Sequence, residues 1–500
     1  MSSAASSLLD HSRQGGTSHR ERTTASLAGF VAETPFEAIP GPIVHATKRL
    51  ILDEIIVAAA AIRTPMAQAL LRLKHEQGGA PDSTIVVGGE RLPVQSAAYV
   101  HAQIANLLDA DETMLNRMHT VSASAMAGLA LAEKLGASGR DLIAAVALGY
   151  DITARVGMSL CQYVEDGKGG LIFAPLFGWS WMAFGAAATC ARLLGLDAVR
   201  TARALGQALV TAPVSYDIVK SNLPEFTDGM PAYWHKYQMC GAAAEAGVNA
   251  ALLASHGWVA QTDILDEGSL FWRSFGAAGC DFDVMYRDLG SHWYVGDCAI
   301  KPYPFCRYGH AAIDIFSRIV RTENLGPDDI EDVLIRVPPI GLCITLAELT
   351  VVDEPLKLLH SLPTALALVA LGITPGPRWY EIDLASEQVR GIARRMRSEV
   401  AQEWGPIILE QQDSDGSFRR LPAEIVVRTR TGQEHRGFAE YAKGDPWAEG
   451  YEMTDEDLAG KARSFLADIL PAARIEALVT AGFALDRAET LDDLTQAMRA

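Results

Sequence analysis

Between positions 101 and 120 the chain sets an acidic run, a hydroxyl and an imidazole close together: Asp109, Asp111, Glu112, Thr113 and His119. An imidazole titrates near neutral pH, and a neighbouring carboxylate or hydroxyl can orient it or its substrate, so the set has the parts for acid/base work. Residues Ser96 to Met114 lack Gly and Pro and place Val100, Ile104, Leu107 and Leu108 on one stripe. That spacing predicts a helix packed on a core, with Asp109 and Thr113 one turn apart on a common face and His119 folded back over them. On spacing alone the same run also reads as the solvated acidic end of an ordinary helix.

Two lysines are candidates for the complementary charge. Lys236 stands where a Pro-, aromatic- and polar-rich loop, residues 213–235, gives way to a helical pattern from Tyr237 to Ser255. Lys301 heads the run Lys301-Pro-Tyr-Pro-Phe-Cys306, with His310 four residues beyond. A lysine crowded by a second cation in a partly dry pocket has a lowered pKa and can act as base or acid, although most lysines are solvated surface groups. Cys306 could donate a proton, but a buried cysteine is usually inert packing.

Composition limits the alternatives. With 43 basic and 61 acidic residues, net charge −18, and no basic stripe, a nucleic-acid surface is excluded and an anionic ligand would need a locally positive pocket. The seven cysteines are scattered without C-x-x-C or metal-ligand spacing, which reads as reduced thiols in a cytoplasmic protein needing no metal or other cofactor. No Gly-x-Ser-x-Gly elbow, Walker motif or dinucleotide fingerprint is present. No apolar run approaches the ~20 residues of a membrane span, so no membrane partner is expected.

The elements that must position these groups are mostly helical. Residues 1–26 are rich in Ser, Thr, Arg and Gly, lack a secretory h-region and read as a disordered tail, with a transit peptide as the weaker alternative. Helical patterns follow from Pro42 to Leu73 with a break at Pro65, then a short strand, Thr84 to Val87, turning at Gly88-Gly89. Beyond His119 a helix rich in small residues ends at Gly136, Ser138 and Asp141 form a capping box, and Asp197 caps another helix. From Lys301 the character changes: a helix at 308–322, a strand at 331–338, a helix opening near Ser361, and a hairpin of 423–429 with 434–438. Helices return after Pro446. The fold class is therefore mainly α, a large all-helical domain (27–298 and 443–500) carrying an inserted smaller α+β lid domain (299–442).

The acidic run resembles that of the MmgE/PrpD family, whose members carry Asp-x-Asp-Asp-Thr and a His six residues past the Thr; here these are Asp109, Asp111, Glu112, Thr113 and His119. The resemblance continues through Ala132 to Leu142, Gly149 to Gly157, Leu194 to Asp197, and Lys301 to Cys306 with His310 and Asp314. It implies a cofactor-independent homodimeric lyase, a dehydratase or decarboxylase acting on a small di- or tricarboxylic acid. An isomerase of the iminodisuccinate-epimerase type, or a non-catalytic dimeric binding protein, is the alternative. It also implies catalytic roles for His119, Lys236, Asp109 and Thr113 and substrate contacts for Lys301, Cys306 and His310. Glu112 replaces the second Asp, Thr120 a Pro, and Cys306 a His of animal cis-aconitate decarboxylases. The run Tyr303-Pro-Phe-Cys-Arg-Tyr-Gly-His310 differs from the methylcitrate dehydratase pattern and points away from that substrate.

Overall fold

The structure, a computed structural model, describes residues 22–499 apart from 117, 175, 177, 215–238, 349–351, 353 and 354. Its principal elements begin with α1 (Thr23–Glu33), α2 (Gly41–Ala61), α3 (Pro65–Gln77), the hairpin β1 (Ser83–Thr84) and β2 (Arg91–Leu92), and α4 (Val94–Ala105). There follow α5 (Val121–Leu135), α6 (Gly139–Ser159), the hairpin β3 (Tyr163–Glu165) and β4 (Leu171–Phe173), α7 (Met182–Leu193), α8 (Ala198–Thr211) and α9 (Met239–Ser255). The later part contains α10 (His310–Thr322), β5 (Ile330–Val337), α11 (Leu362–Ala370), β6 (Met396–Val400), β7 (Ala423–Thr429), β8 (Glu434–Ala439), α12 (Asp455–Leu466) and α13 (Ala472–Phe483). The protein is mainly helical.

The first helix corrects the expected tail. It starts at Thr23, inside the segment read as disordered, because it has something to bury: Leu27, Ala28 and Val31 are inaccessible, and Thr24 gives both its N–H and its hydroxyl to Asp266 Oδ1, each at 2.9 Å. The strand expected at 84–87 shrinks to two residues, since Val87 takes φ +65° and turns the chain early.

Helices α4, α5, α6, α7 and α9 pack together as the core of the first part, and small residues set their spacing. A Cβ on Gly185 of α7 would lie 1.7 Å from Thr153 Oγ1 of α6, and one on Gly149 of α6 would lie 1.9 Å from Thr189 Oγ1 of α7. Overpacking of that kind costs about 1–3 kcal/mol. Their ends follow local rules: Gly136 at φ +61° stops α5, and the Ser138–Asp141 capping box starts α6. Among the described residues α6 is long and apolar enough to cross a membrane, a length the apolar runs of the sequence did not suggest. Apart from Arg140 and Asp141 in its first turn it is buried, and its Asp151 and Arg155 pair at 2.5 Å while Arg155 caps the carbonyls of Arg287 and His292.

A four-stranded sheet in the order β6-β5-β7-β8 occupies the later part, parallel only between β5 and β6. The hairpin β7–β8 forms around Gly432, and α10 lies on it so closely that a Cβ on Gly437 would meet Ile315 at 2.4 Å. After the sheet the chain returns to the first part, where α12 and α13 pack on α2. One contact there is ionic: Lys461 of α12 donates to Asp53 of α2 at 2.6 Å, both groups fully enclosed.

Candidate active site

The helix expected to run to Met114 ends at Ala105. Leu107 and Leu108 continue the apolar spacing, but the polar groups beside them are buried too and must find partners, which a regular helix would not give them. Asn106 therefore caps α4 and donates to Asp111 Oδ2 at 2.6 Å, and Asp109 takes φ +52°, a left-handed conformation that Asp tolerates better than most residues. Asp109 and Thr113 consequently do not share a helix face.

Three successive carbonyls of this turn are each held by a donor from far along the chain. Leu108 O accepts from the Tyr380 hydroxyl at 3.0 Å, Asp109 O from Lys301 Nζ at 2.8 Å, and Ala110 O from Lys461 Nζ at 2.7 Å. Thr113 does its visible work through the backbone, exchanging two hydrogen bonds with Ala299 (2.9 and 2.8 Å). That bridge brings Lys301, two residues on, to the turn. The Thr113 hydroxyl is buried and has no partner among the described residues.

Beyond the turn, Glu112 does what an N-cap side chain would do for α5: its Oε1 accepts the N–H groups of Thr120 and Val121, both at 2.6 Å. His119, just ahead of that helix, is thereby fixed. Its Nδ1 lies 3.1 Å from Asp111 Oδ1 and its Nε2 3.0 Å from Asp109 Oδ1. The same Asp109 oxygen receives Lys301 Nζ at 2.5 Å, and the ammonium stands 3.4 Å from His119 Nε2. Burial opposes a charge on His119, but Asp111 and Asp109 outweigh both burial and Lys301, and its pKa rises to about 9. At neutral pH it is an imidazolium between two carboxylates, not the half-titrated base its sequence suggested. Burial likewise works against the Asp111 anion, which His119 and Lys301 nevertheless hold below the usual carboxylate range.

The other candidates divide. Lys301 joins His119 and Asp109, spending donors on Asp109. His310 is buried and committed to the fold: Arg307 donates to its Nδ1 at 3.0 Å, its Nε2 donates to Phe305 O at 2.9 Å, and its ring stacks on Tyr303. Cys306 is a buried reduced thiol at the start of the short turn that leads to His310. Lys236 lies outside the described residues. Trp179 packs beside His119, ring centroids 6.4 Å apart, and its buried indole N–H has no partner among the described residues.

Sequence reasoning quoted Asp111 and Glu112 as motif letters without giving them work, and it passed over Glu54 and Lys461. The available signal was Asp53-Glu54 inside the stretch from Leu50 to Ala61, apolar apart from them, where two acids survive only with partners or protons. By distance alone, Asp109, Asp111 and His119, or Glu54, Asp111 and Glu112, are close enough to surround a cation. We assign neither trio as ligands. In the first, Lys301 already occupies Asp109 and would repel the ion. In the second, Asp111 is engaged by His119, Asn106 and Ser122, and Glu112 Oε1 by two N–H groups. Three oxygens remain, short of the about six that hard divalent cations take.

A groove of about 680 Å³ lined by Phe30, Glu33 and Trp293 contains none of these residues.

Two family models match the chain: the MmgE/PrpD N-terminal domain over residues 25–280 and the MmgE/PrpD C-terminal domain over residues 303–483. The chain belongs to the MmgE/PrpD family, whose members are generally lyases of the dehydratase type. No curated protein matches it. The second matched segment spans both the sheet and the helices α12 and α13 that pack on α2.

Proposed function

We propose that this protein is a cofactor-independent lyase, a dehydratase or decarboxylase of a small di- or tricarboxylic acid, in which His119 supplies the proton. The observation that carries the reading is the imidazolium clamped between Asp109 and Asp111, with Lys301 on the oxygen that Asp109 shares with it. Elimination of water or CO2 beside a carboxylate builds negative charge on carbon or oxygen, and that charge needs a proton and cations within reach. A substrate anion taking the place of Asp109 Oδ1 would meet both the His119 Nε2–H and the Lys301 ammonium, which are otherwise spent on Asp109. Lys236, carried over from the family pattern, completes the pair as the group that removes a proton. The Thr113 hydroxyl and the Trp179 N–H are spare donors for a carboxylate.

Proton NMR of the purified protein with citrate, methylcitrate, cis-aconitate and iminodisuccinate in deuterated water tests this. Loss of water or CO2 is the expected result. Deuterium exchange at an α-carbon without either loss would make the protein an epimerase, and inertness toward all four, together with unchanged binding by His119→Ala, would leave the site without a lyase role.

We also propose a homodimer, on different grounds from those the sequence offered. The Ala-rich helices, whose apolar surface would suit a partner, are buried against each other within the chain, whereas Val210, Val214, Trp258 and Val259 are exposed. Light scattering giving a strictly monomeric mass at micromolar concentration overturns it.

A further inference from the structure

Next to the clamp, where Asp111 meets Glu54 and Glu112, the fold encloses more negative charge than the clamp can use. Asp53 and Glu54 of α2 join Asp109, Asp111 and Glu112, all inaccessible or nearly so, and among the described residues three cations face them: His119, Lys301 and Lys461. Arg49, on the same helix, is turned to Asp455. The other titratable neighbours among the described residues are the thiols of Cys240 and Cys298 and the Tyr150 phenol, none of which brings positive charge. Lys461 is taken by Asp53 and Ala110 O. Glu54 is left facing Asp111 and Glu112, with ligand-capable oxygens of all three within 4.8 Å of one another. Among the described residues neither Glu54 oxygen nor Glu112 Oε2 has a hydrogen-bond partner, and the Ser122 hydroxyl beside them donates to Asp111 at 3.1 Å.

Two uncompensated charges in a dry interior are not tolerated; such groups neutralise instead. A divalent cation is disfavoured by the shortage of free oxygens. We propose that Glu54 is a positioning residue that stays protonated in the folded protein and, as a neutral acid, donates across the Asp111–Glu112 pair, so that Asp111 remains the anion clamped to His119. Burial, followed by the charges of Asp111 and Glu112, pushes the Glu54 carboxyl well above its usual range, and burial with Asp111 lifts Glu112 to about 7, in keeping with protons rather than charges at this spot. A proton on Glu54 also matters to the proposed chemistry, on which this inference rests: an ionised Glu54 would repel Asp111 and compete with it for the His119 imidazolium, and a neutral one leaves Asp111 as the anion that holds the ring.

The test reads charge without needing a substrate, so it stands or falls separately from the lyase reading. A group protonated in the fold but ionised when unfolded makes the folding constant fall about tenfold per pH unit above the ordinary carboxylate range. Glu54→Gln, which keeps the shape and a donor, should fold, and its folding constant from urea titrations between about pH 5 and pH 7 should depend on pH less steeply than wild type by about one proton. The His119 ring should keep its high titration point in Glu54→Gln by NMR and lose it in Glu54→Leu, which has no donor; a role limited to packing would move neither. Parallel pH slopes for wild type and Glu54→Gln overturn the proposal. So does a stoichiometric divalent metal in the purified protein whose removal by EDTA lowers stability. Should Glu54→Gln not fold, wild type labelled with carbon-13 at the glutamate carboxyls decides: a resonance that stays at the protonated position at neutral pH supports the proposal, and all resonances at the carboxylate position overturn it.

Discussion

Two histidines sit in this protein with almost no access to water and have been pushed in opposite directions. His119 lies between Asp109 and Asp111 and is raised to about 9; His310 lies against Arg307 and is driven well below its ordinary value, burial first and the guanidinium second. His101, which meets burial without a close charge, falls to about 4 and shows what burial does by itself, accepting one N–H from Val86 at 3.2 Å. Burial thus sets a common penalty, and the sign of the neighbouring charge decides whether the imidazole keeps its proton. The difference also separates duties. A charged ring beside a lysine has a proton to give, whereas a neutral ring that accepts from Arg307 and donates to Phe305 O is fully spent on holding the Lys301–Arg307 segment in shape.

The largest expected break in this comparison is kinetic. His119→Ala should lower kcat by ~100- to 10,000-fold, the usual toll for a proton-transfer group, in protein whose circular dichroism stays close to wild type, although the stranded Asp111 lowers its unfolding midpoint. Lys236→Ala should lower kcat in the same direction. His310→Ala should act chiefly on stability, losing about 1–3 kcal/mol through the bonds left open on Arg307 and Phe305 O, with a smaller change in kcat for the protein that remains folded. If both histidine variants lost kcat equally with stability intact, the division of duties would be wrong.

Next come the ion pairs that flank each ring. Arg307 Nη2 meets Asp445 Oδ1 at 2.7 Å and Lys301 meets Asp109 at 2.5 Å, all four side chains at most 1% exposed. Taking one partner from a buried pair costs about 3–5 kcal/mol, because the other is stranded. Asp445→Ala and Lys301→Ala should therefore both unfold earlier in urea. Only Lys301→Ala should also shift the pH profile of kcat, upward on the alkaline side, since the ammonium opposes the charge on His119. This revises what sequence alone implied for Lys301→Ala, which was a change in substrate binding.

The pH dependence of stability sharpens the contrast further. His119 has a folded pKa above its unfolded one, so its contribution is complete below about 6.5 and is lost as pH rises through about 9. Glu112 moves in the same sense over the lower range, from the ordinary glutamate value to about 7, and a protonated Glu54 adds to the slope, so between about 7 and about 9 His119 supplies its own proton beside that of Glu54. His101 works the other way: its contribution is present above about 6.5 and is lost as pH falls through about 4. Wild type should accordingly lose unfolding free energy on both sides. His119→Gln should flatten the alkaline limb alone and His101→Gln the acid limb alone; a His119→Gln curve parallel to wild type between pH 7 and 9 would show that the ring is not held charged.

How much of this was legible beforehand depended on whether a local rule or a distant partner decided the structure. Gly136 as a helix stop, the Ser138–Asp141 box, Asp197 as a cap and the hairpin around Gly432 were all readable, because each is settled within a few residues. The end of α4 was not. Leu107 and Leu108 prolong the helical spacing, and what overrides it is Tyr380, Lys301 and Lys461 arriving on three adjacent carbonyls from more than 190 residues away. Strand β6 was missed for a related reason: Met396–Val400 carries Arg, Ser and Glu outward on an edge and has no alternating apolar face to announce it. At the site, types and spacing singled out His119 and Asp109, but a spacing cannot say that Asp111 takes the other ring nitrogen, nor that Glu54, more than fifty positions earlier, stands behind it.

The smallest effect is expected at Cys306, where the comparison between the two rings meets in one short segment: five residues after Lys301, which serves the His119 side, and four before His310, which serves the fold. Cys306 is 8% exposed and precedes the turn that presents Arg307 and His310. A thiol becomes a proton donor or nucleophile when cations lower its pKa, yet the nearby guanidinium of Arg307 is already committed to Asp445 and to the carbonyls of Ala442 and Lys443. Serine keeps the size and the donor while removing the acidity of sulfur. Cys306→Ser should therefore change kcat by less than about threefold and stability by under about 1 kcal/mol, the range of ordinary near-isosteric replacements. A loss approaching that of His119→Ala, with the unfolding midpoint unmoved, would transfer Cys306 from the packing side of the comparison to the chemical side and make it a second proton donor in the cleft.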